Sequence, residues 1–359
     1  MTRLFEPRTL RDLTLRNRLA MSPMCTYACE ARDGRAGDWH LQHLASRAYG
    51  GLGLVLSEAT AIEPRGRISP EDLGLWEDAQ VAPLRRVSRA VKAGGAAFGV
   101  QLAHAGRKAS SYRPWAGRQG LAAVTDGGWP DDVVGPTDEA FSGATALPRA
   151  LAGDELPRLA QAFAAAAARA DAAEVDVVEI HAAHGYLLHS FLSPLTNRRS
   201  DGYGGDEAGR TRALLEVVDA VRAVWPAGKP LFVRLSASDW VPEGWDADAT
   251  VRLARVLARR GVDLIDCSSG GAAAGARVVA HPNYQVGFAE RVRREASVAS
   301  GAVGQIADPR QAEAIVAEGR ADLVLLGRAL LRDPYWALHA AASLGAAPPW
   351  PTQYGWAIG

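Results

Sequence analysis

The stretch Val175-Asp176-Val177-Val178-Glu179-Ile180-His181-Ala182-Ala183-His184-Gly185-Tyr186 decides how the chain is read. Its first half, Val175 to Ile180, is an apolar run of the kind that forms a buried parallel strand. Gly185 permits a sharp turn where that strand ends. Two imidazoles and one phenol then leave the sheet together. A neutral imidazole donates from one ring nitrogen, and a phenol keeps its proton near pH 7 because its ordinary pKa is about 10. Such a set suits a substrate that presents a carbonyl oxygen and a carbon awaiting a proton. It also suits a zinc pair or satisfied core histidines. A helical zinc pair is usually spaced i, i+4, whereas His181 and His184 stand at i, i+3.

Outward from this stretch the same strand-then-helix unit recurs. Residues Leu4 to Leu19 read as a β-hairpin, with Arg18 to Met21 as the first core strand and a helix from Asp38 to Tyr49. Further strands are expected at Leu52–Ser57, Ala97–Leu102, Val175–Ile180, Leu231–Leu235, Asp263–Cys267, Val298–Val303 and Asp322–Gly327. The helices between them are placed at Asp78–Val91, Leu156–Ala173, Asp206–Val224, Asp248–Arg260, Phe288–Ala296 and Pro309–Glu318, with a last one at Arg328–Ala342. Eight such units predict an α/β fold, a (β/α)8 TIM barrel closed by an N-terminal hairpin. One domain over 1–359 is expected. Residues 106–150, rich in Gly, Pro, Trp and Asp, would form a lid, and 343–359 a C-terminal tail. A doubly wound sheet would show a glycine fingerprint after its first strand, and no G-x-G-x-x-G follows any strand here.

Composition narrows the class. Formal net charge is zero, so no basic stripe or acidic tail points to nucleic acid or a membrane surface. No apolar run reaches the roughly 20 residues of a membrane span. Met1 to Pro7 lacks the apolar core of a signal peptide. Three cysteines, Cys25, Cys29 and Cys267, are too few for a disulfide framework or an iron–sulfur cluster. A cytoplasmic protein with a small-molecule substrate is expected.

In barrels the chemistry sits at the carboxyl ends of the strands. Those ends carry Ser22-Pro23-Met24-Cys25-Thr26-Tyr27, then Glu58-Ala59-Thr60, then Gln101 with His104, Arg107 and Lys108, the His/His/Tyr set, Arg234, Gly304, and Gly327-Arg328. The last two glycines lead toward helix starts, where backbone amides and positive dipole ends would favour a phosphate, with Arg328 as a clamp. Taken alone, Gly327-Arg328 is also a plain turn. Gln101 and Arg234 lie inside apolar strands, where a polar group is costly unless paired. They form either an internal pair or the recognition of a heteroaromatic ring with carbonyl oxygens, such as a flavin. Cys25 is either a small buried hydrophobe or a neighbour of such a ring.

These motifs in this order, together with Asn197-Arg198-Arg199-Ser200-Asp201-Gly202-Tyr203-Gly204-Gly205, resemble the Old Yellow Enzyme family over nearly the whole chain. The Cys25/Tyr27 version looks like its thermophilic-like or xenobiotic-reductase branch. The resemblance implies an FMN-dependent ene-reductase that takes hydride from NADPH or NADH. Pro23, Met24 and Cys25 would line the isoalloxazine, Ser22 beside them would also bind the cofactor, and Ala59, Gln101 and Arg234 would hold the ring edge. Gly304, Gly327 and Arg328 would bind the phosphate. His181 and His184 would hold the substrate oxygen, Tyr186 would give the proton, and Tyr27 would assist. A homodimer or homotetramer is the assembly expected from it. The chain departs from the branch at its end, where no Arg or Lys follows Arg332. Trp356 would either serve as an intersubunit wall of the substrate site or pack on the surface. The alternatives are an FMN barrel reductase acting on quinones or nitro compounds, and a non-catalytic FMN carrier. No metal is expected.

Overall fold

The computed structural model describes residues 2–358; Met1, first residue of the Met1–Pro7 stretch read above, and Gly359, last of the tail, lie outside it. Two strands, β1 (Arg8–Leu10) and β2 (Leu13–Leu15), make the antiparallel hairpin. They are followed by β3 (Leu19–Met21), β4 (Leu54–Ala61), β5 (Ala97–Ala103), β6 (Val134–Gly135), β7 (Arg149–Ala150), β8 (Val177–Ala182), β9 (Leu231–Ser236), β10 (Leu264–Ser268), β11 (Ala299–Ala302) and β12 (Leu323–Leu326). The eight strands β3, β4, β5, β8, β9, β10, β11 and β12 pair in parallel in that order, and β12 returns to β3 to close a barrel. Closure leaves no open edge, which fits strands buried on both faces. The helices are α1 (Asp38–Tyr49), α2 (Val81–Ala93), α3 (Leu156–Ala172), α4 (Leu187–Leu192), α5 (Glu207–Val224), α6 (Ala247–Arg259), α7 (Val286–Ala296), α8 (Pro309–Ala317), α9 (Arg328–Arg332) and α10 (Trp336–Ser343).

Two apolar clusters hold this together. Leu54, Leu56, Val177, Phe232, Leu264, Leu323 and Leu325 fill the barrel's interior, and Leu10 and Leu15 of the hairpin join them. The hairpin is therefore the floor of the barrel, and the opposite, carboxyl end stays open. A second, larger cluster lies between the strands and the helical ring. Burying one such Leu contributes about 1.5–3 kcal/mol.

The structure corrects three placements. The second core strand runs on to Ala61 instead of ending at Ser57, with an irregularity in its pairing between Leu56 and Ala59. Its buried carboxylate is satisfied from outside the strand: Glu58 accepts from the Thr26 amide at 2.8 Å and the Thr26 hydroxyl at 2.5 Å. The strand expected at Val175–Ile180 is shifted to Val177–Ala182, so His181 lies within it rather than beyond it. The last helix is broken in two at Asp333-Pro334-Tyr335, because Pro334 has no amide to donate and disfavours helical backbone before it. One helix, α4, was not expected. Among the described residues no helix is long and apolar enough to cross a membrane.

Candidate active site

The strand β8 ends with His181 and Ala182, and the chain then turns through His184 at φ 60° and Gly185 at φ 74°. A left-handed imidazole-bearing residue is unusual and has to be held. Three bonds hold it. The His184 amide donates to Ser236 Oγ at 2.9 Å, and its carbonyl accepts from Lys108 Nζ at 2.7 Å. Lys108 also donates to the Gly271 carbonyl at 2.7 Å, tying the turn to the loop after β10. Burial, then Arg107, pushes the Lys108 ammonium down to about 7. Gly271 could be no other residue: it stands at φ 96°, and a Cβ there would collide with the His184 backbone.

The two imidazoles face each other. His181 Nε2 and His184 Nδ1 are 3.4 Å apart, with the rings edge-on at 5.1 Å. The outer nitrogen of His184, Nε2, lies 2.7 Å from Ser268 Oγ. The outer nitrogen of His181, Nδ1, is buried without a partner. Burial, then Arg234, holds both rings well below the usual imidazole range, so both are neutral at pH 7. With Ser268 donating to His184, the inner Nδ1 of His184 carries a proton. With His181 protonated on Nε2, its N–H and that of His184 would point to the same spot, where an acceptor oxygen would satisfy both. Tyr186 packs edge-on against His181 at 5.1 Å. Burial, then Cys25, raises its phenol, which stays protonated.

A cavity of about 640 Å³ opens beside this pair. That lies within the range of small-molecule sites, roughly 300–1,000 Å³. Ser22, Pro23, Met24, His184, Arg234, Ser268, Gly304, Gly327 and Arg328 line it, so expected residues from five distant stretches of sequence meet there. Ala59 and Tyr186 line a narrow crevice with Asp72 and Ala103. Burial raises the Cys25 thiol well above its usual range, with Tyr27 and the Ala59 backbone bonding to it, so it is a thiol and not a thiolate. Tyr27 stands at φ 48° with its phenol raised by burial. Trp356 is 89% exposed and lines neither space.

Gln101 and Arg234 answer the question left open for them. Gln101 donates to Glu179 at 2.8 Å, and Arg234 Nε lies 2.9 Å from Asp266. All four are buried across neighbouring strands. Burial pushes both carboxyls up, and Arg234 pulls both down. Each is therefore internally paired, yet Arg234 still lines the cavity, and its terminal nitrogens make no bond among the described residues. Glu179 and Asp266 were missed, although acids inside apolar strands carry the same signal as Gln101 and Arg234. Ser268 was missed too; its strand-end position was the available sign.

At the other end of the cavity the expected phosphate cradle is partly corrected. The first amides of α8 are taken by the Asp308 carboxylate, at 2.9 and 3.1 Å. The uncapped amides belong instead to the Gly304 loop and to Gly327-Arg328. Among the described residues the amides of Gln305, Gly327 and Arg328 donate to nothing, and α9 has no side-chain cap. Gly304 needs its glycine at φ 125°, where a Cβ would press on Gln285 and Tyr284. Arg328 and Arg332 line the same end and have no carboxylate partner among the described residues. A polar edge recognised by Arg234, an apolar middle at Pro23 and Met24, and an anion end of amides and guanidiniums fit a flavin mononucleotide. Among the described residues no three His, Cys, Asp or Glu side chains are grouped to hold a metal ion.

Comparison with known proteins agrees with this geometry. The NADH:flavin oxidoreductase / NADH oxidase family model matches residues 3–346. The chain is 47% identical over 357 residues to NADPH dehydrogenase of Geobacillus sp. (strain WCH70), covering 99% of each. It is 45% identical over 356 residues to NADPH dehydrogenase of Bacillus subtilis (strain 168), again covering 99% of each. Among solved structures it is similar to morphinone reductase in complex with tetrahydroNAD, at 31% identity and TM-score 0.78, over 97% of this chain and 92% of that one. It is also similar to the old yellow enzyme homologue from Zymomonas mobilis, at 26% identity and TM-score 0.78, over 98% and 96%. The class is thus a flavin-dependent oxidoreductase on a (β/α)8 barrel. The chain belongs to the NADH:flavin oxidoreductase / NADH oxidase family, the Old Yellow Enzyme family, whose members bind FMN.

Proposed function

We propose that the protein is an ene-reductase that reduces the carbon–carbon double bond of α,β-unsaturated carbonyl or nitro compounds with electrons from NADPH. Bound FMN would supply the hydride chemistry, accepting a hydride from the nicotinamide and giving it to the β-carbon of the alkene. Pro23, Met24, Cys25, Ala59, Gln101 and Arg234 would hold its ring, and Ser22, Gly304, Gly327 and Arg328 its polar chain and phosphate.

The chain's own residues do the rest. His181 Nε2 and His184 Nδ1 hold the carbonyl or nitro oxygen, where negative charge grows as the double bond is reduced. Because burial keeps both rings neutral, each has one N–H to give and no permanent charge to be satisfied beforehand. Ser268 Oγ, 2.7 Å from the outer nitrogen of His184, would fix the tautomer by donating to it. Tyr186 delivers a proton to the α-carbon, and its raised phenol keeps that proton until the carbon is basic enough to take it. Tyr27 borders the substrate.

The observation that carries this reading is the pair of neutral imidazoles, 3.4 Å apart at their inner nitrogens, of which His184 lines a flavin-sized cavity. The test is anaerobic titration of the purified yellow protein. NADPH should bleach the flavin spectrum and cyclohexenone should restore it, with cyclohexanone as product. A bleached flavin that cyclohexenone leaves bleached would refute the alkene as substrate.

A further inference from the structure

A second, polar cavity of about 220 Å³ lies between the 106–150 connection and the segments around Arg32 and Glu71. Its wall carries three guanidiniums, Arg32, Arg113 and Arg118, against two carboxylates, Glu71 and Asp126. Arg67 stands behind it, donating to the carbonyls of Arg32 and Pro70 at 3.0 and 2.8 Å. Glu30 holds Arg113 from outside the wall at 2.6 Å. Four cations thus face three carboxylates. Of the further acids nearby, Asp33 pairs with Arg35, and Asp72 is buried and pushed up toward its neutral form. The pairings leave donors over. Arg32 spends only Nε on Glu71, at 3.0 Å, and Arg118 meets Asp126 through Nη1 alone, at 2.6 Å. Their side chains are 45% and 64% exposed, so the remaining terminal nitrogens are open to solvent.

This cavity adjoins the mouth of the active site. Arg113 donates to the Tyr27 carbonyl at 3.3 Å. Trp115, the neighbour of the lining residue Ala116, packs edge-on against the Tyr27 ring at 5.6 Å and is 60% exposed. An indole left in water beside a cluster of guanidiniums is a platform for a base that carries a phosphate.

We infer that the Arg32–Arg113–Arg118 cavity, with Trp115 at its edge, binds the adenosine 2′-phosphate of NADPH and so selects NADPH over NADH. The inference rests on the function proposed above, because the nicotinamide must enter past Tyr27 while the other half of the dinucleotide lies outside. The phosphomonoester is a dianion near neutrality and takes paired N–H bonds from guanidinium forks. It competes with Asp126 for Arg118, which gives a test of opposite sign.

Flavin reduction by NADPH and by NADH would be compared in wild type, in the Arg32→Ala/Arg118→Ala double variant and in Asp126→Asn. The double variant should raise KM for NADPH about tenfold or more, leave KM for NADH and both kcat values unchanged, and lose competitive inhibition by 2′-AMP. Asp126→Asn should lower KM for NADPH. An equal rise for both coenzymes, or no rise, overturns the inference. If the double variant does not fold, an unchanged or raised KM for NADPH in Asp126→Asn overturns it instead. Should neither coenzyme reduce the wild-type flavin, the proposed function fails, and calorimetric titration with 2′-AMP decides the cavity on its own. Binding in wild type that the double variant loses supports it, and no binding overturns it.

Discussion

The two ends of the main cavity are built on different principles. At the His181/His184 end the two imidazoles are neutral and buried, and neighbours hold His184 in place: Ser268 on its ring, Ser236 and Lys108 on the turn that carries it. At the Gly327/Arg328 end the groups are charged or dipolar, and the Gln305, Gly327 and Arg328 amides have no partner among the described residues. The difference follows from when the charge arrives. A phosphate is charged before it binds, so permanent cations and free amides suit it. A carbonyl oxygen gains charge only while it reacts. Donors aimed there in advance, without a charge of their own, favour the transition state over the ground state.

That contrast can be broken from either side. The largest effect is expected from His181→Ala/His184→Ala. Alkene reduction in single turnover should fall by about 10²–10³ or more, while NADPH still bleaches the flavin and FMN stays bound. Loss of flavin instead would move the pair to the cofactor side of the comparison. Arg328→Ala should do the reverse: it should weaken FMN retention, measured by equilibrium dialysis, by about tenfold to a hundredfold and leave the alkene rate of the loaded enzyme intact.

The next expectation concerns pH. The His181 imidazole, buried and neutral, has a folded-state pKa well below that of the unfolded chain. Below about pH 6.5 the unfolded state therefore binds a proton that the folded state refuses. Its contribution to stability is complete above pH 6.5 and is lost as pH falls, by about 1.4 kcal/mol per pH unit. Denaturant unfolding at pH 5.5 and 7.5 should show the wild type losing more stability than His181→Ala over that interval; equal losses would mean that the folded ring titrates normally. The smallest effect is that of Ser268→Ala. Freeing the outer nitrogen of His184 lets its tautomer drift and should slow alkene reduction about two- to tenfold without touching flavin affinity.

Much of this was legible before any fold was known. Strand–helix alternation announced the barrel, and polar residues at or inside apolar strands marked its open end: Gln101, His181 and Arg234. The errors were of two kinds. One was local and avoidable, since Pro334 stood in plain view within the helix drawn through it. The other was tertiary. Nothing near Glu58 in sequence says that Thr26 will satisfy it, so the strand was cut short at Ser57. Likewise the helix start after Gly304 suggests free amides for a phosphate, but the Asp308 side chain caps the first amides of α8. The roles of Glu179, Asp266 and Ser268 depend on which strands become neighbours, and pairing order is not written in any one segment.

The seat of His184 has a consequence for how the enzyme can change. A methyl group on Gly185 would strike the carbonyl of Gly271, and one on Gly271 would strike His184. Two segments separated by more than eighty positions thus forbid each other the smallest increment of size. Directed evolution toward bulkier or differently shaped alkenes has no route through this corner. Variation must accumulate in the long excursion after β5, where Trp115 and its neighbours lie in the open.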